Sequence, residues 1–156
     1  MNFCFAADRT LGKLAKWLRI LGFDTIYESD ISSTWFYDHL GQERILLTRT
    51  GRNRRQCCAQ KLVFIESNDL IEQLRQVIHD LAITRSDVRA FSICIQCNCP
   101  LIDISKETVF GLVPDYIWET HHEFHVCRKC ERIYWPGSHI ERSMEVIKQL
   151  FGSDKV

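Results

Sequence analysis

Two short thiol pairs set the tightest limit on what this chain can fold into. Cys94 and Cys97 stand two residues apart, and Cys127 and Cys130 repeat that spacing. A C-x-x-C turn presents two thiolates to one ion, and a second such turn completes a closed set of four sulfurs at tetrahedral angles, the donor set of structural zinc. Cys94, Cys97, Cys127 and Cys130 are therefore expected to hold one Zn²⁺ and to close the C-terminal half as a small ribbon. The interval between the pairs is long for a ribbon, and a hairpin of Leu101 to Ile104 with Val109 to Val113 is expected inside it. Cys99, His121, His122 and His125 are substitute ligands only if the main four fail. Cys4, Cys57 and Cys58 read as small hydrophobes or exposed thiols.

A chain of 156 residues has room for one ordinary domain, or for one compact domain followed by a metal-stapled module. Apolar residues make up 46% and charged residues 26%, a composition that builds a core. Twenty basic and twenty acidic side chains cancel, so any case for a nucleic-acid partner rests on local clusters. One such cluster exists: from Arg44 to Lys61 every charged side chain is basic, and Arg49, Arg52, Arg54 and Arg55 crowd together. The N-terminus lacks the basic lead and apolar run of a secretory signal, and no stretch is long and apolar enough for a membrane span. A cytoplasmic location with no membrane partner is expected, where eight cysteines point to metal ligation and thiols more than to disulfides.

Along the N-terminal half, strand and helix signals alternate. Phe3 to Ala7 reads as a strand. Leu11, Leu14, Leu18 and Leu21 recur at helical spacing, and Gly22 stops that helix. Phe23 to Tyr27 is a second strand, Ser33 to Leu40 a short helix, Ile45 to Thr48 a third strand and Leu62 to Ile65 a fourth. Asp69 and Glu72 form a capping-box signature for a helix reaching about Leu81. This order predicts an α/β fold: a Rossmann-like parallel sheet with helices on both faces, whose ligands gather at the carboxyl ends of the strands. Near Ser86 the pattern changes to short β-like pieces, and Ser138 with Glu141 reads as a capping box for a terminal helix. We accordingly expect one domain over residues 1–86 and a zinc-ribbon module with its terminal helix over 87–156.

Several ordered blocks carry a family resemblance: Asp8 to Asp24 (DRTLGKLAKWLRILGFD), Arg44 to Arg49 (RILLTR), Cys94 to Asn98, Val113-Pro114, and Cys127 to His139 (CRKCERIYWPGSH). Together they resemble the Mut-seven C-terminal RNase family, a PIN-like nuclease domain joined to a zinc ribbon, over nearly the whole chain. The resemblance implies a PIN-like fold in which carboxylates at strand ends bind Mg²⁺ or Mn²⁺, and the ion activates water to cut an RNA phosphodiester. Asp8 matches the family's first acid; an N-cap of the first helix is its alternative role. The family follows Leu-Leu-Thr-Arg with an acid, where this chain has Thr50. The acids at the start of the second helix fall near Ser32 and Ser33, with Asp30, Asp38 and Glu28 close enough to substitute.

RNA contacts have three sources in the sequence. Lys13, Lys16 and Arg19 repeat every third residue on a face of the first helix apart from its leucines, as phosphate contacts or as an ordinary solvated face. Arg49, Arg52, Arg54 and Arg55 follow the strand end beside the expected metal site and can clamp phosphates, unless the loop is simply solvated. Tyr134 and Trp135, beside Arg132, His139 and Arg142, can stack unpaired bases or serve as a miniature core. The leading expectation is an RNA-processing or RNA-degrading, metal-dependent ribonuclease acting on single-stranded RNA. The alternative is a catalytically degenerate RNA-binding or ribosome-associated adaptor, and a third reading is a module that binds another protein.

Overall fold

The computed structural model of the chain describes residues 2–32, 35–36, 40, 44–52 and 61–152. Four parallel strands, β1 (Cys4–Ala7), β2 (Asp24–Tyr27), β3 (Ile45–Thr48) and β4 (Leu62–Phe64), form one sheet in the order β2-β1-β3-β4. Its central strands are almost wholly apolar and buried, as strands covered on both faces must be. One face packs Phe5, Ala7, Ile45 and Leu47 against helix α1 (Gly12–Ile20), with its Leu14 and Leu18, and helix α2 (Leu70–Asp80), with Leu74 and Val77. The other face packs Ala6 and Leu46 against Phe36 and Leu40. Of the helix expected over Ser33 to Leu40, Trp35 and Phe36 are helical; Ser33, Thr34 and the stretch 37–39 lie outside the described residues. The expected α/β class and parallel sheet are present.

Gly22 does more than end α1. Its φ is +88°, and a Cβ there would lie 2.1 Å from the Arg89 carbonyl oxygen, so only glycine permits both the left-handed turn and the close passage of the later chain. That passage uses the orphan carbonyls of the helix end: Leu21 O accepts from Arg89 N, and Ile20 O from Phe91 N.

The C-terminal part is a three-stranded antiparallel sheet, β5 (Leu101–Ile104), β6 (Phe124–Cys127) and β7 (Ile133–Tyr134), in that order, with a short helix α3 (Asp115–Thr120) between β5 and β6. The hairpin partner of Leu101–Ile104 is thus Phe124–Cys127, not Val109 to Val113. Val109, Val113 and Ile117 recur every fourth residue, a helical rather than a strand period; turns place all three with Phe124 in a small separate core. The terminal helix α4 (Ser138–Phe151) is capped by Gly137 without a side-chain bond, so the Ser138–Glu141 capping box does not form. The expected boundary at residue 86/87 puts α4 on the ribbon side of the sequence. Its Ile147 nevertheless sits in the parallel-sheet core, with Met144, Leu150 and Phe151 against it.

Candidate functional site

Strand order places the site. In a 2-1-3-4 sheet the chain leaves β1 toward β2 and leaves β3 toward β4, in opposite directions, and the crevice at the carboxyl ends of β1 and β3 is the topological switch point. Ala7 pairs with Tyr27 on one side and Leu47 on the other, so the next residues along, Glu28, Asp8 and Thr48, line up across the strand ends. Asp8 is 1% exposed and Glu28 8% exposed, and a buried carboxylate is costly unless hydrogen bonds replace its water. Asp8 meets that requirement fully. Its Oδ1 accepts from Thr10 N at 2.9 Å and Thr10 Oγ1 at 2.6 Å; its Oδ2 accepts from Thr48 Oγ1 and from Arg49 N at 3.2 Å.

Thr50, which replaces the expected acid, stands one layer behind: its N–H donates to Thr48 Oγ1 at 3.1 Å. Glu28 Oε2 accepts from Arg9 N at 2.8 Å, while the Arg9 guanidinium, largely in solvent, lies 3.8 Å from Oε1. Tyr27 donates its hydroxyl to Arg9 O at 3.0 Å and packs so tightly on the start of α1 that a Cβ on Gly12 would sit 2.7 Å from the Tyr27 hydroxyl oxygen. The N-cap of α1 is Leu11, without a side-chain bond; Asp8 therefore does not cap the helix but ties together the ends of two strands. Asp30 pairs with Arg19 Nη2 at 3.1 Å. Asp38 lies outside the described residues. The acid level with Asp8 is Glu28, which the sequence offered only as a substitute; its signal was that each of the first two strands is followed at once by an acid.

The second cluster lies in the ribbon. Cys94, Cys97, Cys127 and Cys130 bring their sulfurs within 4.8 Å of one another, and among the described residues no other group of three or more potential ligands does so. Cys94 and Cys130 sulfurs are 3.8 Å apart, the edge of a tetrahedron with metal–sulfur bonds of about 2.3 Å. The donor set and spacing fit one structural zinc ion. Each knuckle is closed by a residue in the left-handed region just past its second cysteine, Asn98 at φ 57° and Glu131 at φ 61°. In the first, Asn98 N donates to Cys94 O; in the second, Glu131 N donates to Cys127 O. Burial pushes the Cys94 thiol up, but hydrogen bonds from the Tyr134 hydroxyl and the Cys97 and Gln96 N–H groups outweigh it and bring it to about 7. Burial and the sulfurs of Cys130 and Cys94 push Cys97 up to about 12. Crowded thiols oppose one another's ionisation, and a divalent cation removes that conflict. Cys99 and His121, His122 and His125 stand outside the cluster; His125 instead faces Asp103 at 2.9 Å.

With the fold and both clusters defined, the family can be tested over the chain. The family model of the Mut7-C RNAse domain matches residues 4–147, from β1 into α4. The chain belongs to this family. No curated protein and no solved structure matches it. Membership ties the Mut7-C chain to an RNase-related function and makes RNA its partner class. No helix among the described residues is long and apolar enough to cross a membrane.

The basic and aromatic residues of this Mut7-C domain divide into those that face solvent and those with structural work. Lys13 and Lys16 are exposed on α1. Arg19 is not on that face: it is 4% exposed, and its guanidinium donates to Thr25 O, Ile95 O and Asp30. The three-residue spacing that grouped it with the lysines drifts around a 3.6-residue helix toward the buried side. Arg49 is half-buried just past β3, Arg52 is exposed, and Arg54 and Arg55 lie outside the described residues, as do Cys57 and Cys58. Tyr134 has its hydroxyl 3.1 Å from Cys94 Sγ, where it would donate to the thiolate of a zinc-loaded cluster as an outer partner; burial and Cys94 raise its own pKa. Trp135 packs against the small ribbon core. His139 and Arg142 are exposed at the start of α4.

Proposed function

We propose that this Mut7-C protein is a metal-dependent ribonuclease that hydrolyses RNA phosphodiester bonds beside Asp8 and Glu28. One observation carries the reading: two buried carboxylates stand one residue past the ends of adjacent parallel strands, next to the switch point where such sheets bind ligands. The side-chain groups here that can ligate an ion, the two carboxylates and the Thr48 hydroxyl, offer oxygen, a set that suits Mg²⁺ or Mn²⁺ rather than a soft ion. Such an ion supplies a water of lowered pKa and neutralises charge on the phosphate. Asp8 and Glu28 would hold such an ion. Asp30 and Asp38 are the further acids near enough in sequence to contribute.

The chain's own residues do the rest. Arg49, with its backbone fixed on Asp8, and Arg52, Arg54 and Arg55 after it hold the RNA phosphates near the acids. Lys13 and Lys16 extend the cationic track along α1, and Trp135, His139 and Arg142 engage single-stranded RNA on the ribbon side. In this reading residues 1–86 carry the chemistry and the zinc ribbon carries part of the grip. A reducing cytoplasm keeps its thiols available for zinc.

A second reading has its own support. Both Asp8 oxygens already accept two hydrogen bonds, and Thr50 stands where an acid is expected; a non-catalytic RNA-binding or ribosome-associated adaptor would have this geometry. Cleavage of single-stranded RNA separates the two. We expect cleavage in Mn²⁺ that Asp8→Asn and Glu28→Gln each lower by about 100-fold or more, beyond what loss of an outer partner costs, with RNA affinity held within a few-fold. RNA binding without cleavage in Mn²⁺, undiminished in both variants, establishes the adaptor instead.

A further inference from the structure

The three ribbon strands present one apolar face. Ile104 pairs with Phe124, and Val126 with Ile133, and residues two apart on β6 share a side. Val109, Val113 and Ile117 cover part of that face. The remainder is an open groove of about 580 Å³ whose lining includes Ile104, Leu112, Val126, Ile133, Trp135 and, at its edge, Arg132. Leu112 is 66% exposed there. Apolar surface of this kind on a small module marks a binding site, and the volume is in the range of small-ligand clefts.

The charge beside the groove selects its occupant. Arg128, Lys129 and Arg132 are exposed on one metal-held knuckle, and among the described residues none of the three makes an ion pair. Arg132 lines the apolar slot, with Arg128 and Lys129 on the same knuckle, and such a cluster suits a polyanion that also carries flat apolar groups. Unpaired nucleotides have that chemistry; a duplex hides its base faces. Glu131, the acid that also lines the groove, is ill placed for a phosphate but can accept from the N–H edge of a base. Its left-handed φ and the Cys127 N to Arg132 O hydrogen bond fix the knuckle, so Arg132 and Ile133 are presented in advance.

We infer that the ribbon groove formed by Leu112, Val126, Ile133 and Trp135 seats an unpaired nucleobase, with Arg132 and its neighbours on the flanking phosphates. The inference rests on the RNA reading above and assigns the groove, rather than the Tyr134 ring, as the base-stacking element.

The test compares a single-stranded RNA oligonucleotide with an abasic strand of the same length, bound to the zinc-loaded full chain at low salt without Mg²⁺ or Mn²⁺. The wild-type protein is expected to bind the base-bearing strand at least about fivefold more tightly, the lower end of what one stacked base contributes. Leu112→Asn, a change at an exposed position, is expected to erase that difference while binding the abasic strand like wild type. Equal wild-type affinity for both strands, or a Leu112→Asn protein that keeps the full difference, overturns the groove assignment and leaves the RNA reading standing. No binding of either strand overturns both. A groove that takes an apolar peptide but is blind to bases gives the first of these outcomes. If Leu112→Asn loses zinc, photocross-linking of wild type to iodouridine RNA decides: adducts at Trp135 or its groove neighbours support the seat, and adducts confined to 44–61 overturn it.

Discussion

Asp8 joins two segments of chain through one carboxylate, because Thr10 comes from the turn after β1 and Thr48 and Arg49 from the end of β3. Removing one donor leaves a buried anion short of a hydrogen bond at a cost of about 1–3 kcal/mol. Thr48→Val, nearly isosteric, is therefore expected to destabilise the fold by that amount, read as a lower urea midpoint; an unchanged midpoint would mean that the Thr48 hydroxyl is dispensable to Asp8. Asp24 is a second carboxylate with structural work. Burial pushes its pKa up, but hydrogen bonds from Arg44 and Asn98 outweigh burial and hold it below the ordinary aspartate value of 3.8. A depressed folded pKa means the contribution is complete above 3.8 and disappears as pH falls through the lower folded value. Wild type should thus lose part of its advantage over Asp24→Asn below about pH 4, measured as the difference between their urea midpoints across an acid series.

At the scale of elements, the two expected capping boxes had different fates for a local reason. Asp69 accepts from Glu72 N at 3.0 Å and caps α2. The reciprocal half is absent, since Asp69 N donates to Ser67 Oγ and the Glu72 carboxylate takes Arg75. At α4 the chain is already helical at Ser138, so its hydroxyl stands one residue too late to cap. Asp69→Ala should cost about 1 kcal/mol, while Ser138→Ala should change stability by less than about 0.5 kcal/mol; thermal or urea unfolding of the pair checks both, and similar losses would restore the capping box at Ser138. The leucine stripe of α1 needs no such adjustment, because Leu11, Leu14, Leu18 and Leu21 are all buried.

Across the whole molecule, the first metal knuckle is bonded to the parallel sheet. Asn98 Oδ1 accepts from Thr25 N at 2.8 Å and Nδ2 donates to Asp24, which covers the outer edge of β2 as an added strand would. Arg19 reaches the Ile95 and Gln96 carbonyls while also holding Asp30, in the turn that carries Glu28. A metal ion held in the ribbon would therefore steady the acid-bearing turn. Stripping it with a chelator should lower hydrogen-exchange protection at the Thr25 amide, whereas Leu46, bonded within the sheet to Lys61 O, should be less affected. Equal protection at Thr25 with and without metal would show that the two parts are mechanically independent.

What was legible in the sequence was what local spacing dictates: the two thiol pairs, the leucine period of α1, the alternation of strands and helices, and Asp8 at a strand end. These depend on neighbours a few residues apart, whose geometry the backbone period sets. Pairings over long separations were decided by the fold. The sheet register made Glu28 the partner of Asp8, helix rotation turned Arg19 inward, and the ribbon sheet chose Phe124–Cys127 over Val109 to Val113. The core of the parallel sheet claimed α4. In each case the choice depends on which surfaces remain uncovered once the other elements have packed, a quantity that a linear string of residues does not contain.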